Sequence, residues 1–284
     1  MSKQPGPSVR RRQLGAMLRE LRTDSGNTVK DAAEWLGMGE SNISKIEKSK
    51  QTVKAPTIRA LCQLYDVDAS KTDYLLRLAG EANQRSWWTA YRDTVPDWFR
   101  QYVALEGDAI DYWSYETEYV PGLLQTSGYA AALIRATLPG STDAEVERLV
   151  QLRRDRQARI DGGSPPRLHL YMNEAVVHRV VGGSDVMREQ IEYLIDCSEL
   201  DHVALRIVPF SAGAHPAMSG AFVLMQFPEE DSPAFAYIEN ERGAVYQEDP
   251  GDIDRYMVMV NRLDELALSE EASRDMLVDM GRSL

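Results

Sequence analysis

VKDAAEWLGMGESNISKIEK, from Val29 to Lys48, is the stretch whose reading decides the fold. Its small, glycine and apolar residues fall at spacings that each have a physical reason. Ala33 is small, so a second helix crosses closely over it. Gly37 permits the left-handed backbone that turns the chain between two helices. Leu36, Ile43 and Ile46 are apolar and point into the angle between those helices. Thr28 caps the first helix, and Asp31 three residues on takes a capping-box position more often held by Glu or Gln. The pattern predicts one short helix from Thr28 to Gly37 and a second from about Gly39 to Lys48.

The rest of the second helix is polar: Glu40, Ser41, Asn42, Ser44, Lys45 and Lys48. In a helix-turn-helix, the N-terminal part of this helix enters the major groove of DNA. Lys bonds guanine O6 and N7, Asn bonds adenine N6 and N7, and Ser adapts to either. Ser41, Asn42 and Lys45 are therefore the base-reading candidates. Glu40 either accepts from cytosine or repels phosphate. Thr28, Ser44, Lys30, Lys48 and Lys50 complete the expected DNA-binding set. Lys30, Lys48, Lys50, Lys54 and Arg10–Arg12 are placed for phosphate, which supplies affinity without sequence information. A solvated basic tail is the plainer account of Arg10–Arg12.

Working outward, Leu14, Leu18 and Leu21 line one face of a helix from about Val9 to Asp24, which Gly26-Asn27 ends. A fourth helix follows Pro56, and a fifth runs from about Lys71 to Ala79. Residues 1–8, with Pro5, Gly6 and Pro7, are expected to be a disordered tail. The polar run at 81–86 is the expected linker. Beyond it, helical stretches at roughly 86–106, 127–137, 142–160, 184–199 and 252–268 interleave with strand-like runs. Those runs are Tyr112–Tyr119, Arg167–Met172, Val203–Val208, Ala221–Phe227 and Phe235–Glu239. This pattern predicts an α/β or α+β domain with a mixed sheet over 87–284.

Charge follows the same division. The chain has 284 residues and a net charge of −12, which by itself argues against nucleic acid. Yet residues 1–80 hold 14 basic and 9 acidic residues, a net +5, and the remainder carries −17. No lysine follows Lys71. A basic head on an acidic body leaves the head fit to meet phosphate. Cys62 and Cys197 form no C-x-x-C pair, which argues against a disulfide framework or zinc ribbon. With no apolar run long enough for a membrane span and no signal-peptide core, a cytoplasmic location is expected.

Residues 10–80 resemble the phage-repressor (XRE) class of helix-turn-helix domains. Ile43-Ser44-Lys45-Ile46-Glu47 matches that class's recognition-helix signature. The resemblance implies a lambda-repressor-like, all-α domain of five helices over 9–80. The sequence departs from the class at two positions. Val29 stands where Gln often clamps phosphate, so that contact is not carried over. Ser49 stands where Gly usually closes the signature, so a different helix end is expected.

A second resemblance lies in the body. Ser86-Trp87-Trp88, Leu105-Glu106 with Ala109, and Val120-Pro121-Gly122-Leu123-Leu124-Gln125-Thr126 with Tyr129-Ala130 are similar to a C-terminal domain fused to XRE domains in actinobacterial regulators. These include WhiJ-like and Scr-type antitoxin-like regulators. Asn173-Glu174-Ala175, Val181-Gly182-Gly183 with Gln190, and Val208-Pro209 with His215 fit too. The resemblance implies a small protein partner, typically encoded next door, and no established catalysis.

On the residues alone, Trp87, Trp88 and Trp98 are expected to pack the two domains together. Gln125 and Thr126 either bind something in the Pro121-Gly122 turn or, more plainly, cap the next helix. Glu174 and His178 share a helix face, a spacing open to a metal, a proton relay or a mere surface pair. No H-E-x-x-H, G-x-S-x-G, Walker or dinucleotide motif appears, so no enzyme is expected. Arg206, His215 and Arg242 are candidates to line a small-molecule pocket. The reading is a cytoplasmic, sequence-specific DNA-binding transcriptional regulator, a repressor or autoregulator. It needs no cofactor or metal, acts as a homodimer on two half-sites, and is modulated through its C-terminal domain by a small protein partner. The alternative is that this domain senses a small-molecule ligand; an enzyme is the remote one.

Overall fold

A computed structural model describes residues 7–82, 91, 94–160, 165–228, 234–240 and 242–284. The chain divides into two compact units at residues 89 and 90.

The first unit is all helical: α1 (Pro7–Asp24), α2 (Val29–Leu36), α3 (Glu40–Glu47), α4 (Ala55–Leu64) and α5 (Ala69–Ala82). Leu14, Leu18, Ala33, Ile43, Ile46, Ile58, Leu61, Leu75 and Leu78 form its buried core, with Leu21 and Leu36 partly buried against it. Two expectations at its edges are corrected. Pro7 and Ser8, placed in a disordered tail, form the first turn of α1, where proline is tolerated because its missing N–H has no intrahelical partner. Glu81 and Ala82, placed in the linker, continue α5. There the Arg11 guanidinium donates to the Ala82 carbonyl at 2.9 Å. A carbonyl near a helix end lacks its own intrahelical donor, and this bond supplies one.

The second unit is built on one six-stranded mixed sheet, as expected. Its strands are β1 (Asp111–Glu116), β2 (Arg167–Asn173), β3 (Val203–Val208), β4 (Phe222–Gln226), β5 (Phe235–Asn240) and β6 (Gly243–Gln247). The order is β3-β2-β1-β4-β5-β6. β1, β2 and β3 run parallel, and β4, β5 and β6 add antiparallel strands. The parallel steps are bridged by α7 (Ser127–Thr137) and α8 (Asp143–Ile160), then by α9 (Glu174–His178) and α10 (Ser184–Cys197). Such connections are long because parallel strands require a crossover.

Side chains alternate between the two faces. Tyr115, Tyr171, Phe222, Leu224 and Ala236 pack with Val260 and Leu263 of α11 (Pro250–Leu266). On the opposite face, α6 (Asp97–Glu106) and α8 meet through a buried ion pair. Arg156 donates to both Glu106 oxygens at 2.8 and 2.7 Å and lies over the Phe99 and Tyr102 rings. Two elements were not anticipated. β6 is a short edge strand, and α12 (Glu270–Ser283) buries only Ser273 and Leu277, too few for an apolar stripe to show.

Candidate nucleic-acid interface

α2 begins with a complete capping box. The Asp31 backbone N–H donates to the Thr28 hydroxyl at 3.2 Å, and the Thr28 N–H donates to the Asp31 carboxylate at 2.8 Å. The Thr28 hydroxyl also donates to that carboxylate at 2.7 Å. These Thr28 bonds hold the Asp31 carboxyl below its ordinary value. Asp31 thus does the work of the longer Glu or Gln. The Thr28 hydroxyl is committed within the cap, which narrows the part it can take in contacting DNA.

α2 ends at Gly37, which adopts φ 62° and ψ 35°. The Gly37 N–H donates to Glu34 O at 3.1 Å and the Met38 N–H to Ala33 O at 3.0 Å. This paired closure needs a left-handed residue at its centre. Two residues later α3 starts. Ile43 and Ile46 turn inward and are buried, as is Ala33 beneath them.

On α3 the exposed residues fall opposite those two isoleucines. Ser41, Lys45 and Lys48 are exposed and share a stripe at i, i+4 and i+7, while Asn42 and Ser44 flank it half-buried. Glu40 is exposed at the first turn. Lys30 and Lys50 are exposed, Lys30 on α2 beside Glu34 at 3.8 Å and Lys50 just beyond α3. The expected site residues thus fall on α3 and just beyond its end, with Thr28 and Lys30 on α2 and its cap.

The end of α3 does not differ in the way Ser49 led us to expect. Ser49 itself takes the left-handed conformation, φ 58°. The Ser49 N–H donates to Ile46 O and the Lys50 N–H to Lys45 O, at 2.9 and 2.8 Å, the same closure as at Gly37. The Ser49 hydroxyl donates to Arg11 O at 3.1 Å and so ties this strained residue to α1. Val29, in place of the phosphate-clamping Gln, packs partly buried against the core.

The sequence reading missed three features. First, Glu47 is a structural partner: Arg22 of α1 reaches it with two hydrogen bonds, 2.6 and 3.1 Å, and also donates to Asn27 O. The bonds to Glu47 raise the Arg22 pKa. Second, two members of the basic run are engaged within the domain: Arg10 donates to Gln13, and the Arg11 guanidinium donates to Ala82 O. Third, Trp35 is 51% exposed on α2, and its indole N–H donates to Ala60 O of α4 at 2.9 Å. An aromatic on an otherwise charged helix face was the only available signal.

In the body, the Val120–Thr126 run is an internal clamp. Gln125 donates to Val120 O and accepts from Arg153; Gln190 of α10 donates to Leu124 O and accepts from the Thr126 N–H. Thr126 caps α7, the plainer of its two expected roles. Glu174 and His178 meet at 3.3 Å as an i,i+4 pair, and Glu174 also accepts from the Phe210 N–H. Among the described residues no group of His, Cys, Asp or Glu could hold a metal ion. Arg206, His215 and Arg242 do not converge. Arg206 is on edge strand β3, bound to Asp264; His215 lies by Tyr115 of β1; Arg242 is in the turn before the opposite edge strand, β6. Their positions in sequence carried no information about strand order. Trp98 lies beside Gly243, while Trp87 and Trp88 fall outside the described residues.

Residues 13–75 match a helix-turn-helix domain. A 63-residue stretch, 22% of this chain, is 41% identical to the HTH-type transcriptional regulator ImmR of Bacillus subtilis (strain 168). The match spans about half (47%) of that protein. No described helix is long and apolar enough to cross a membrane. Residues 99–279, most of the chain, match the domain of unknown function DUF5753. The chain therefore belongs to the DUF5753 family, with an XRE-type helix-turn-helix domain ahead of that domain.

Proposed function

We propose that this protein is a sequence-specific DNA-binding transcriptional regulator, a repressor or autoregulator, that binds two half-sites as a homodimer. The observation that carries the reading is the polar face of α3. It is held outward by buried Ile43 and Ile46 and belongs to a domain of net +5. Ser41, Asn42 and Lys45 read base edges; Lys30, Lys48 and Lys50 meet phosphate; Glu40 tunes the choice of base, and Thr28 and Ser44 support the approach. The helix-turn-helix likeness to a transcriptional regulator supports this assignment. One short helix offers too few base contacts for selectivity across a genome, which favours the dimer.

The experiment is binding to an operator selected from genomic fragments, beside an unrelated duplex. Asn42→Ala and Lys45→Ala each weaken operator binding by about 1–3 kcal/mol and leave the unrelated duplex little changed. Unchanged operator affinity in both variants at physiological salt refutes the assigned reading face.

The second domain modulates DNA binding, and a small protein partner of antitoxin-like type, encoded nearby, is the first reading. The −17 charge of residues 81–284 favours a basic partner. Sensing of a small ligand by that domain is the alternative reading.

A further inference from the structure

The two edges of the sheet are finished differently. At the β3 edge, backbone groups that face away from β2 are taken up by other parts of the chain. The Val203 N–H donates to Leu200 O at 2.9 Å and the Ile207 N–H to the Ser273 hydroxyl at 2.9 Å, while Ile207 O accepts from the Leu268 N–H at 2.8 Å. At the β6 edge, Asn240 pairs directly with Gly243. So short a connection requires that pair to be mutually hydrogen-bonded. By alternation, Gly243, Val245 and Gln247 spend their N–H and C=O groups on β5, and Ala244 and Tyr246 direct theirs out of the sheet. Among the described residues, none bonds to those outward groups. Natural sheets blunt such an edge with a charge, a proline, a bulge or a covering element. β6 reads Gly243-Ala244-Val245-Tyr246-Gln247, uncharged and proline-free, in unbroken register with β5.

This edge is complementary to itself. An antiparallel second copy, related by a two-fold axis through Val245, sets Ala244 of each copy against Tyr246 of the other. Both outward-facing residues then exchange N–H···O bonds, and a small side chain meets a large one. The same register sets Arg242 of each copy opposite Glu248 of the other, and both residues are exposed. Moving the axis by one residue sets Arg242 against Tyr246, or Glu248 against Ala244, and loses this match of charge. The first of these shifts also needs the Arg242 N–H, which already donates to the Asn240 side chain at 2.9 Å. Val245, 47% exposed, meets its own copy at the axis and is covered there. A two-fold contact of this kind is closed, because it uses one edge of each copy and leaves the finished β3 edges outermost.

We propose that β6 is a dimer interface: two copies pair antiparallel through Ala244, Val245 and Tyr246, joining their sheets into one across a two-fold axis. The proposal rests on the homodimer reading and gives it a surface and a register.

Oxidative cross-linking and sedimentation equilibrium of the full chain test this. Val245→Cys forms a disulfide-linked dimer, because facing Cβ atoms in a non-hydrogen-bonded pair stand within disulfide reach. Leu138→Cys, at the end of α7 and 50% exposed, does not, nor does the parent, whose two cysteines are buried. Arg242→Glu sets like charges opposite one another twice and weakens the dimer about fivefold or more. Adding Glu248→Arg restores dissociation to within about twofold of the parent, which a merely misfolded variant does not allow. Ala244→Pro keeps the bonds to β5, removes one outward donor from each copy and weakens the dimer about tenfold or more. The proposal is overturned if the chain is dimeric but Val245→Cys cross-links no better than Leu138→Cys. It is overturned equally if Arg242→Glu leaves the dimer unchanged, or if the charge swap does not restore it. In those cases the homodimer reading stands with its contact elsewhere. A chain that stays monomeric, both free and on operator DNA, overturns the two together.

Discussion

Single residues in left-handed backbone mark the ends of four helices in the helix-turn-helix domain: Gly26, Gly37, Ser49 and Asp66. Glycine takes this conformation freely, whereas other residues lose about 1–2 kcal/mol. Asp66, φ 55°, is exposed at the end of α4, where the Val67 N–H closes onto Cys62 O at 2.9 Å. Asp66→Gly therefore stabilises the domain by about 1 kcal/mol in denaturant unfolding. Ser49→Gly gains less, because it gives up the hydroxyl bond to Arg11 O. The same scale governs Glu116, whose folded-state pKa is raised to about 8, above its unfolded carboxylate value. The folded protein then holds a proton that the unfolded chain has released. The contribution is full below the unfolded value and declines as pH rises toward about 8. Besides Ser114, the charged groups facing Glu116 are Glu239 and Arg153. Glu116→Gln should flatten this part of the stability profile and be more stable than the parent at pH 8 and above. An unchanged profile between pH 5 and 9 would contradict the assignment.

Between elements, polar contacts set how the helix-turn-helix is held. α1 and α3 approach so closely that a Cβ on Gly15 would stand 2.7 Å from Glu47 O. The buried Arg22–Glu47 pair spans the same contact, with side chains 10% and 7% exposed. Removing one member strands the other, at a cost of about 3 kcal/mol or more. Glu47→Ala is therefore expected to unfold the helical domain at markedly lower temperature, read by its far-UV dichroism. If its operator binding falls at a temperature where it is still folded, Glu47 does more than hold α3. Glu47 was readable only as part of a signature, since nothing in the spacing pairs it with Arg22, 25 positions earlier. Gln190 and Gln125 are the corresponding case in the body, where amides rather than charges hold the Val120–Thr126 turn. Their sequence resemblance to other regulators was visible, but their structural role needed the partners.

Across the whole molecule, charge is segregated, with a basic helical head and a body of −17. Binding through phosphate contacts releases counter-ions, so affinity falls with salt in proportion to the contacts made. Lys50→Ala should weaken operator and unrelated duplex alike and reduce the logarithmic salt slope by about 1. A loss confined to the operator would instead move Lys50 into the base-reading set.

Local rules settled much of the architecture from the sequence. The capping box, the glycine turn, the inward isoleucines and the charge division all depend on neighbours within a few positions or on composition, so the helix-turn-helix and its polar face were legible. Strand positions were legible to within a few residues for the same reason, because alternation is local. Strand order was not, and it separates Arg206 from Arg242 across the full sheet. Nor was it legible that Ser49 would take a glycine's conformation, that Arg11 would reach Ala82, or that Glu47 would meet Arg22. Each of these depends on a contact between elements distant in sequence. Burial, which makes such a contact strong, exists only once the chain has folded.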